Sequence, residues 1–172
     1  MVDSSHGIMS TPNPAFTKTV TDLGGGSVTM CFQCGTCTAS CPSGKETAYR
    51  IRKIMRQAQL GLEKDVIGSD DIWQCTTCYT CAERCPRQVE IVEVVTVLRN
   101  IAVEKGKIAD GHRAVANNLI LCGHTVNIND KVKAQRKCLG LPEAPPTVIA
   151  NKAAMDDFTK ILKKTGFDKL VG

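Results

Sequence analysis

Apolar residues recur at helical spacing in several stretches of the chain. Ala48, Ile51, Met55, Ala58 and Leu62 fall three and four apart after Ser43-Gly44-Lys45-Glu46. That tetrapeptide fits a capping box, so the pattern predicts a helix of about four turns. Ile91, Val94, Val95, Leu98, Ile101 and Ala102 trace a second stripe. The valines between 89 and 103 also suit a strand, but length and periodicity favour a helix. Ala114 to Leu121 reads as a shorter helix stopped by Gly123. Asn151 is placed to cap a last helix carrying Ala154, Met155, Phe158, Ile161 and Leu162, with Lys163, Lys164 and Gly166 at its end. Pro142 to Pro146 separates that helix from the body, and no run of alternating strands joined by hairpin turns occurs. The class expected is mostly α.

Composition adds a compartment and a chemistry. With 42% hydrophobic and 23% charged residues over 172 positions, the chain is ordinary globular material, which excludes disordered and collagen-like classes. Residues 1–27 are rich in Ser, Thr, Pro and Gly and end in Gly24-Gly25-Gly26-Ser27, so a flexible N-terminal arm that orders only against a partner is expected there. There is no signal-type apolar core and no apolar run long enough to span a bilayer. A cytoplasmic protein without membrane insertion is the expectation. In that reducing compartment ten cysteines point to metal ligation rather than disulfides.

Eight of those cysteines form one pattern twice, displaced by 44 residues: Cys31, Cys34, Cys37 and Cys41 before Pro42, and Cys75, Cys78, Cys81 and Cys85 before Pro86. Three thiolates at steps of three let a tight loop wrap one [4Fe–4S] cubane, and in this bacterial-ferredoxin type of run the fourth cysteine ligates the other cluster. The expected ligand sets are therefore Cys31, Cys34, Cys37 and Cys85 for the first cluster, and Cys75, Cys78, Cys81 and Cys41 for the second. Structural zinc prefers cysteines in separated pairs, so a zinc-stabilised interaction module is the weaker reading. Small and polar residues between the ligands allow backbone N–H groups to approach the sulfurs and tune the potential. Phe32, Trp73 and Tyr79 are read either as shields over the clusters or as core aromatics.

Charge sharpens this picture. The formal balance is +5, but two oxidised clusters with four thiolates each add about two negative charges apiece and bring the protein to about +1. Lys45, Arg50, Arg52, Lys53 and Arg56 still make a cationic stretch beside the first motif, and Arg84 and Arg87 flank the second. Compensation of cluster charge, docking to an acidic protein surface and a simple solvated face are the three readings. No groove-reading motif points to nucleic acid. Cys122 and Cys138 stand outside the repeat and are expected as buried free thiols, while His6, His112 and His124 are isolated. There is no GxGxxG, P-loop or HExxH, so the chain is expected to carry electrons without a catalytic residue of its own.

MCFQCGTCTASCP at 30–42 and WQCTTCYTCAERCP at 73–86, with a helical connection and an apolar helix after them, resemble the small iron–sulfur (C) component of the heterodisulfide reductases of methanogenic archaea. The same α-helical ferredoxin module occurs in iron–sulfur subunits of quinone-linked glycolate and glycerol-3-phosphate dehydrogenases, which is the alternative function. The resemblance covers about residues 28–125 and implies an α-helical ferredoxin-like domain there, with residues 126–172 as a C-terminal extension holding one helix. It implies a relay in a multi-subunit oxidoreductase of methanogenesis. The family's A component, with a flavin, would receive electrons from a hydrogenase or formate dehydrogenase. Two [4Fe–4S] clusters would pass them to the B component, which reduces the coenzyme M–coenzyme B heterodisulfide. The family's disulfide-cleaving site uses Cys-Cys-Gly segments, and this sequence contains none.

Overall fold

Asn13 opens the first helix by accepting a hydrogen bond from the Ala15 amide, and Pro14 takes the first helical position, where its missing N–H is no loss. This is α1 (Pro14–Val20) of a computed structural model that describes residues 11–171. Phe16 and Val20 bury one side of α1, and the Thr17 hydroxyl donates to the Ala58 carbonyl at 3.0 Å. A π-helical turn (Thr21–Gly25) and a 3-10 turn (Gly26–Met30) continue it and bury Val28. The expected flexible arm over 1–27 is thereby corrected from Asn13 onward; its first part, with His6, lies outside the described residues. A polar composition hid two apolar residues one helical turn apart, enough to dock a short helix.

Two short helices follow, α2 (Thr36–Ser40) and α3 (Pro42–Glu46), and then α4 (Ile51–Gln59). The four-turn helix expected from Ala48 to Leu62 is thus shorter. Ser43 does not cap it: its hydroxyl donates to the Gln74 carbonyl at 2.8 Å, and Lys45 and Glu46 finish α3 instead. Gly61, at φ +68°, ends the connection after α4, and its carbonyl accepts from the Asn13 amide at 2.9 Å. Ile51, Ile54, Met55 and Ala58 form the buried face of α4. Burial of such an aliphatic side chain contributes about 1.5–3 kcal/mol, so this face outweighs the single missing cap.

After α5 (Glu63–Gly68), a 3-10 turn (Asp70–Gln74) and α6 (Thr80–Glu83), the chain enters α7 (Ile91–Glu104). Ile91, Val92, Val94, Val95, Val97, Leu98, Ile101 and Ala102 are all buried. A helix apolar on this many sides must lie inside its domain. Here α1, α5, α6 and the helical turns that lead into each cysteine motif surround it. The valines therefore serve a central helix, in agreement with its periodicity.

The chain divides after Lys107 into two units. The second contains α8 (Asp110–Cys122), α9 (Asp130–Cys138), a 3-10 turn (Val148–Ala150), α10 (Lys152–Thr165) and α11 (Phe167–Val171). The boundary expected at 125 moves to 107, because α8 packs with α11, where Arg113 donates to the Val171 carbonyl at 2.6 Å. Gly123 stops α8 and Asn151 caps α10 through the Ala153 and Ala154 amides, both as the sequence predicted. Among the described residues no strand forms, and no helix is long and apolar enough to cross a membrane.

Candidate metal centres

The two cysteine loops share one backbone design. Left-handed residues flank each middle cysteine: Gln33 (φ +66°) and Gly35 (φ +87°) about Cys34, Thr77 (φ +52°) and Tyr79 (φ +60°) about Cys78. Alternation of this kind forms the anion-binding concavities in which successive N–H groups converge. Gly35 and Tyr79 then start α2 and α6, which pack on one another and bury Cys37 and Cys81. In each loop the first cysteine is partly buried, the second exposed and the third buried.

Packing α2 on α6 brings the fourth cysteines across. One cavity is lined by Cys31, Cys34, Cys37 and Cys85, with Pro86, Val89, Ile91 and Arg52. Another is lined by Cys75, Cys78, Cys81 and Cys41, with Pro42, Ile51, Tyr79 and Val92. All eight cysteines of the repeat thus line one cavity or the other. The fourth cysteine receives a matching amide in each half, Gly44 N–H to Cys41 Sγ at 3.4 Å and Val89 N–H to Cys85 Sγ at 3.3 Å.

Electrostatics differ between rim and interior. Thr36 and Thr80 hydroxyls stand 3.4 Å and 3.5 Å from Cys34 and Cys78, and these contacts hold both thiol pKa values below the ordinary one. Burial pushes the Cys37 thiol up and the Cys81 thiol up to about 12. Cys37 and Cys81 would hold iron as thiolates, the metal's positive charge offsetting the cost of burying them.

Helices hold the loops from behind by one device used twice. Gln59, at the end of α4, donates through Nε2 to the carbonyls of Val28 at 3.0 Å and Cys31 at 2.7 Å. Arg99, on α7, donates to the carbonyls of Ile72 at 2.8 Å and Cys75 at 2.6 Å, and its guanidinium lies 5.6 Å from the Trp73 ring centroid. Neither Gln59 nor Arg99 was singled out from the sequence. Their signal was present: Gln59 is 28 residues after Cys31 and Arg99 is 24 after Cys75, each on a helix that follows its motif and carries a buried apolar face. Of the aromatics, Trp73 packs against the core, whereas Phe32 (58% exposed) and Tyr79 (48%) stay at the surface.

The chemistry of the donor set fits iron–sulfur clusters. Structural zinc takes its cysteines as separated pairs, whereas each cavity here is lined by a triplet at steps of three plus one cysteine of the other motif. The Tyr49 hydroxyl adds a second sign. It is buried without a hydrogen-bond partner. Burial first, then the sulfurs of Cys75, Cys41 and Cys81, drive its ionisation far upward, so it remains a donor facing one ring.

An open groove adjoins the first ring, lined by Gln33, Gly35, Thr38, Arg50, Arg52, Lys53 and Arg56. Arg50 is structural, since one guanidinium nitrogen donates to three carbonyls, and Lys53 pairs with Asp71 at 3.3 Å. Cys122 is partly buried and Cys138 is exposed, which corrects the expectation of two buried thiols; Cys138 lies on the last turn of the polar helix α9. His124 Nε2 lies 2.6 Å from the Thr147 hydroxyl, a contact within the second unit.

Residues 27–89 match the 4Fe-4S dicluster domain family, which accounts for both cavities, and the chain accordingly carries two [4Fe–4S] clusters. Over 146 residues it is 54% identical to the iron–sulfur C subunit of the CoB–CoM heterodisulfide reductase of Methanopyrus kandleri, covering 85% of this chain and 76% of that one. It is 49% identical to the C subunit of the H(2):CoB-CoM heterodisulfide,ferredoxin reductase of Methanothermobacter marburgensis, covering 91% and 85% of the two chains. The C subunit of the ferredoxin:CoB-CoM heterodisulfide reductase of Methanosarcina mazei is 41% identical over 83% of this chain and 88% of its own. With its twin cysteine rings in a helical domain and likeness of this extent along both units, the chain belongs to the family of iron–sulfur C subunits of the heterodisulfide reductases.

Proposed function

We propose that this chain is the electron-relaying member of a heterodisulfide reductase. It stands between a flavin-containing A component, served by a hydrogenase or formate dehydrogenase, and a catalytic B component that reduces the coenzyme M–coenzyme B heterodisulfide. Its site residues are Cys31, Cys34, Cys37 and Cys85 for one cluster, and Cys75, Cys78, Cys81 and Cys41 for the other. The observation that carries this reading is the composition of the two cavities, each lined by one cysteine triplet and the fourth cysteine of the other motif. When bound, the [4Fe–4S] groups supply reversible one-electron storage.

The chain's own residues bind, orient and shelter. Crossed ligation staples the two motifs, so α2 and α6 cannot separate without loss of ligands. Ile91 and Val89 on one side, Ile51 and Val92 on the other, give each cavity an apolar wall that keeps water off the sulfurs. Cys34 and Cys78 are the exposed ligands, and a partner's redox group would approach from their side.

The test is spectroscopic. Cys41→Ser is expected to remove the same electron paramagnetic signal as Cys78→Ser, and Cys85→Ser the same signal as Cys34→Ser. The opposite pairing would assign each fourth cysteine to its own loop. Anaerobic purification of the tagged chain from its native host should retain a flavoprotein and a disulfide-reducing protein. Capture of a quinone-linked dehydrogenase instead would move the chain to another complex.

A further inference from the structure

The two halves of the cluster domain match position by position, and the mismatches in charge stand out against that correspondence. After the fourth cysteine the offset between halves becomes 40, so Ile51 corresponds to Ile91, Arg52 to Val92 and Gln59 to Arg99. Ile51 and Ile91 each line a cavity, as do Arg52 and Val92, so the correspondence holds in space. At the first ring the cavity-lining residue is the cation Arg52 and the loop clamp is the neutral Gln59. At the second ring the lining residue is the buried, neutral Val92, and the clamp is the cation Arg99.

Both cations are close to the ligand loops. A Cβ built on Gly35 would lie 3.8 Å from Cδ and from Nη1 of Arg52, so this side chain lies over the residue between Cys34 and Thr36. Arg99 touches the carbonyl of a ligand cysteine directly. Their surroundings differ: Arg52 is exposed in the open groove, whereas Arg99 is partly buried beside Trp73. Other charges nearby include Arg50, Lys53 and Arg56 in the same groove as Arg52, Arg84, which donates to Ser40 Oγ at 3.3 Å between the two loops, and Glu93, which accepts from the Tyr79 hydroxyl at 3.1 Å beside the second ring.

Reduction adds a negative charge to a cluster, and a fixed cation stabilises the reduced form more than the oxidised one, which raises the potential. Salt screens this effect at an exposed site much more than at a sheltered one. We propose that each cluster has its own potential-setting positioning residue: Arg52 for the cluster of Cys31, Cys34 and Cys37, acting through a solvent-facing charge, and Arg99 for the cluster of Cys75, Cys78 and Cys81, acting through a sheltered one. A partner that covers the groove would then alter the first potential and leave the second in place.

This rests on the dicluster relay reading, and the test is a redox titration of the loaded chain followed by electron paramagnetic resonance. Signals are assigned with Cys34→Ser and Cys78→Ser, whose loops define the clusters whichever cysteine comes fourth, so failure of crossed ligation and failure of this proposal are separate results. Arg99→Gln keeps the clamp that Gln59 already makes in the first half. It is expected to lower the midpoint of the second cluster alone, at low and high salt alike. Arg52→Gln is expected to lower the first midpoint alone, by a shift that shrinks as salt is added. Unchanged midpoints, or equal shifts of both clusters in each variant, would overturn the proposal. Should Arg99→Gln fail to hold iron, Gln59→Arg decides: a raised first midpoint supports the sheltered-charge effect, and an unchanged one overturns it.

Discussion

Tyr49 shows how a single side chain links packing to redox chemistry. Its ring is fully buried among the residues between the two motifs, and its hydroxyl, without a hydrogen bond of ordinary geometry, faces the sulfurs of the second ring. An unsatisfied buried hydroxyl costs about 1–3 kcal/mol, a cost that acceptor sulfurs at the second ring remove. Tyr49→Phe is therefore expected to leave both clusters in place and to lower the midpoint of the second one, since a hydrogen bond that favours the more negative state is lost. Redox titration checks this, with the first midpoint as the internal control. The rim residues follow the same logic on a smaller scale: Thr36 and Thr80 favour thiolate at Cys34 and Cys78, where solvent is close.

At the scale of elements, the stop after α4 and the start of α1 are one structure. Gly61 occupies the left-handed region, and a Cβ there would collide with the backbone of Asn13. Glu63 on α5 completes the joint by accepting from Asn13 and pairing with Lys105, a contact that holds its carboxyl below the ordinary range. Gly61→Ala adds backbone strain and displaces Asn13, so a loss of roughly 2 kcal/mol or more is expected in urea denaturation of the loaded protein. Release of α1 would expose Phe16 and Val20 and show as faster amide exchange over Pro14–Val20. An unchanged unfolding midpoint would mean that the joint is slack.

For the whole molecule, all eight repeat cysteines and the large buried core lie before residue 108, whereas in the second unit only Leu162 and Val171 are buried among its described apolar residues. A chain ended after Lys107 is therefore expected to hold two clusters, roughly eight irons, by elemental analysis. Iron content reduced by half or more would show that the second unit supports a ring. By itself, the amino-acid sequence determined the chemistry and the helical class. Ligand spacing dictates cluster type, and periodic burial positions such as Ile91, Val95 and Leu98 dictate helices, both being local constraints that one segment expresses alone. The tertiary structure decided that Ser43 serves Gln74 rather than a helix start, that residues from Asn13 pack instead of trailing, and that α8 joins the C-terminal helices. It also decided that Arg99 and Gln59 grip equivalent carbonyls. Each of these depends on a partner distant in sequence, where contact energy outweighs local preference, and no pattern read within one segment contains the other half of the contact.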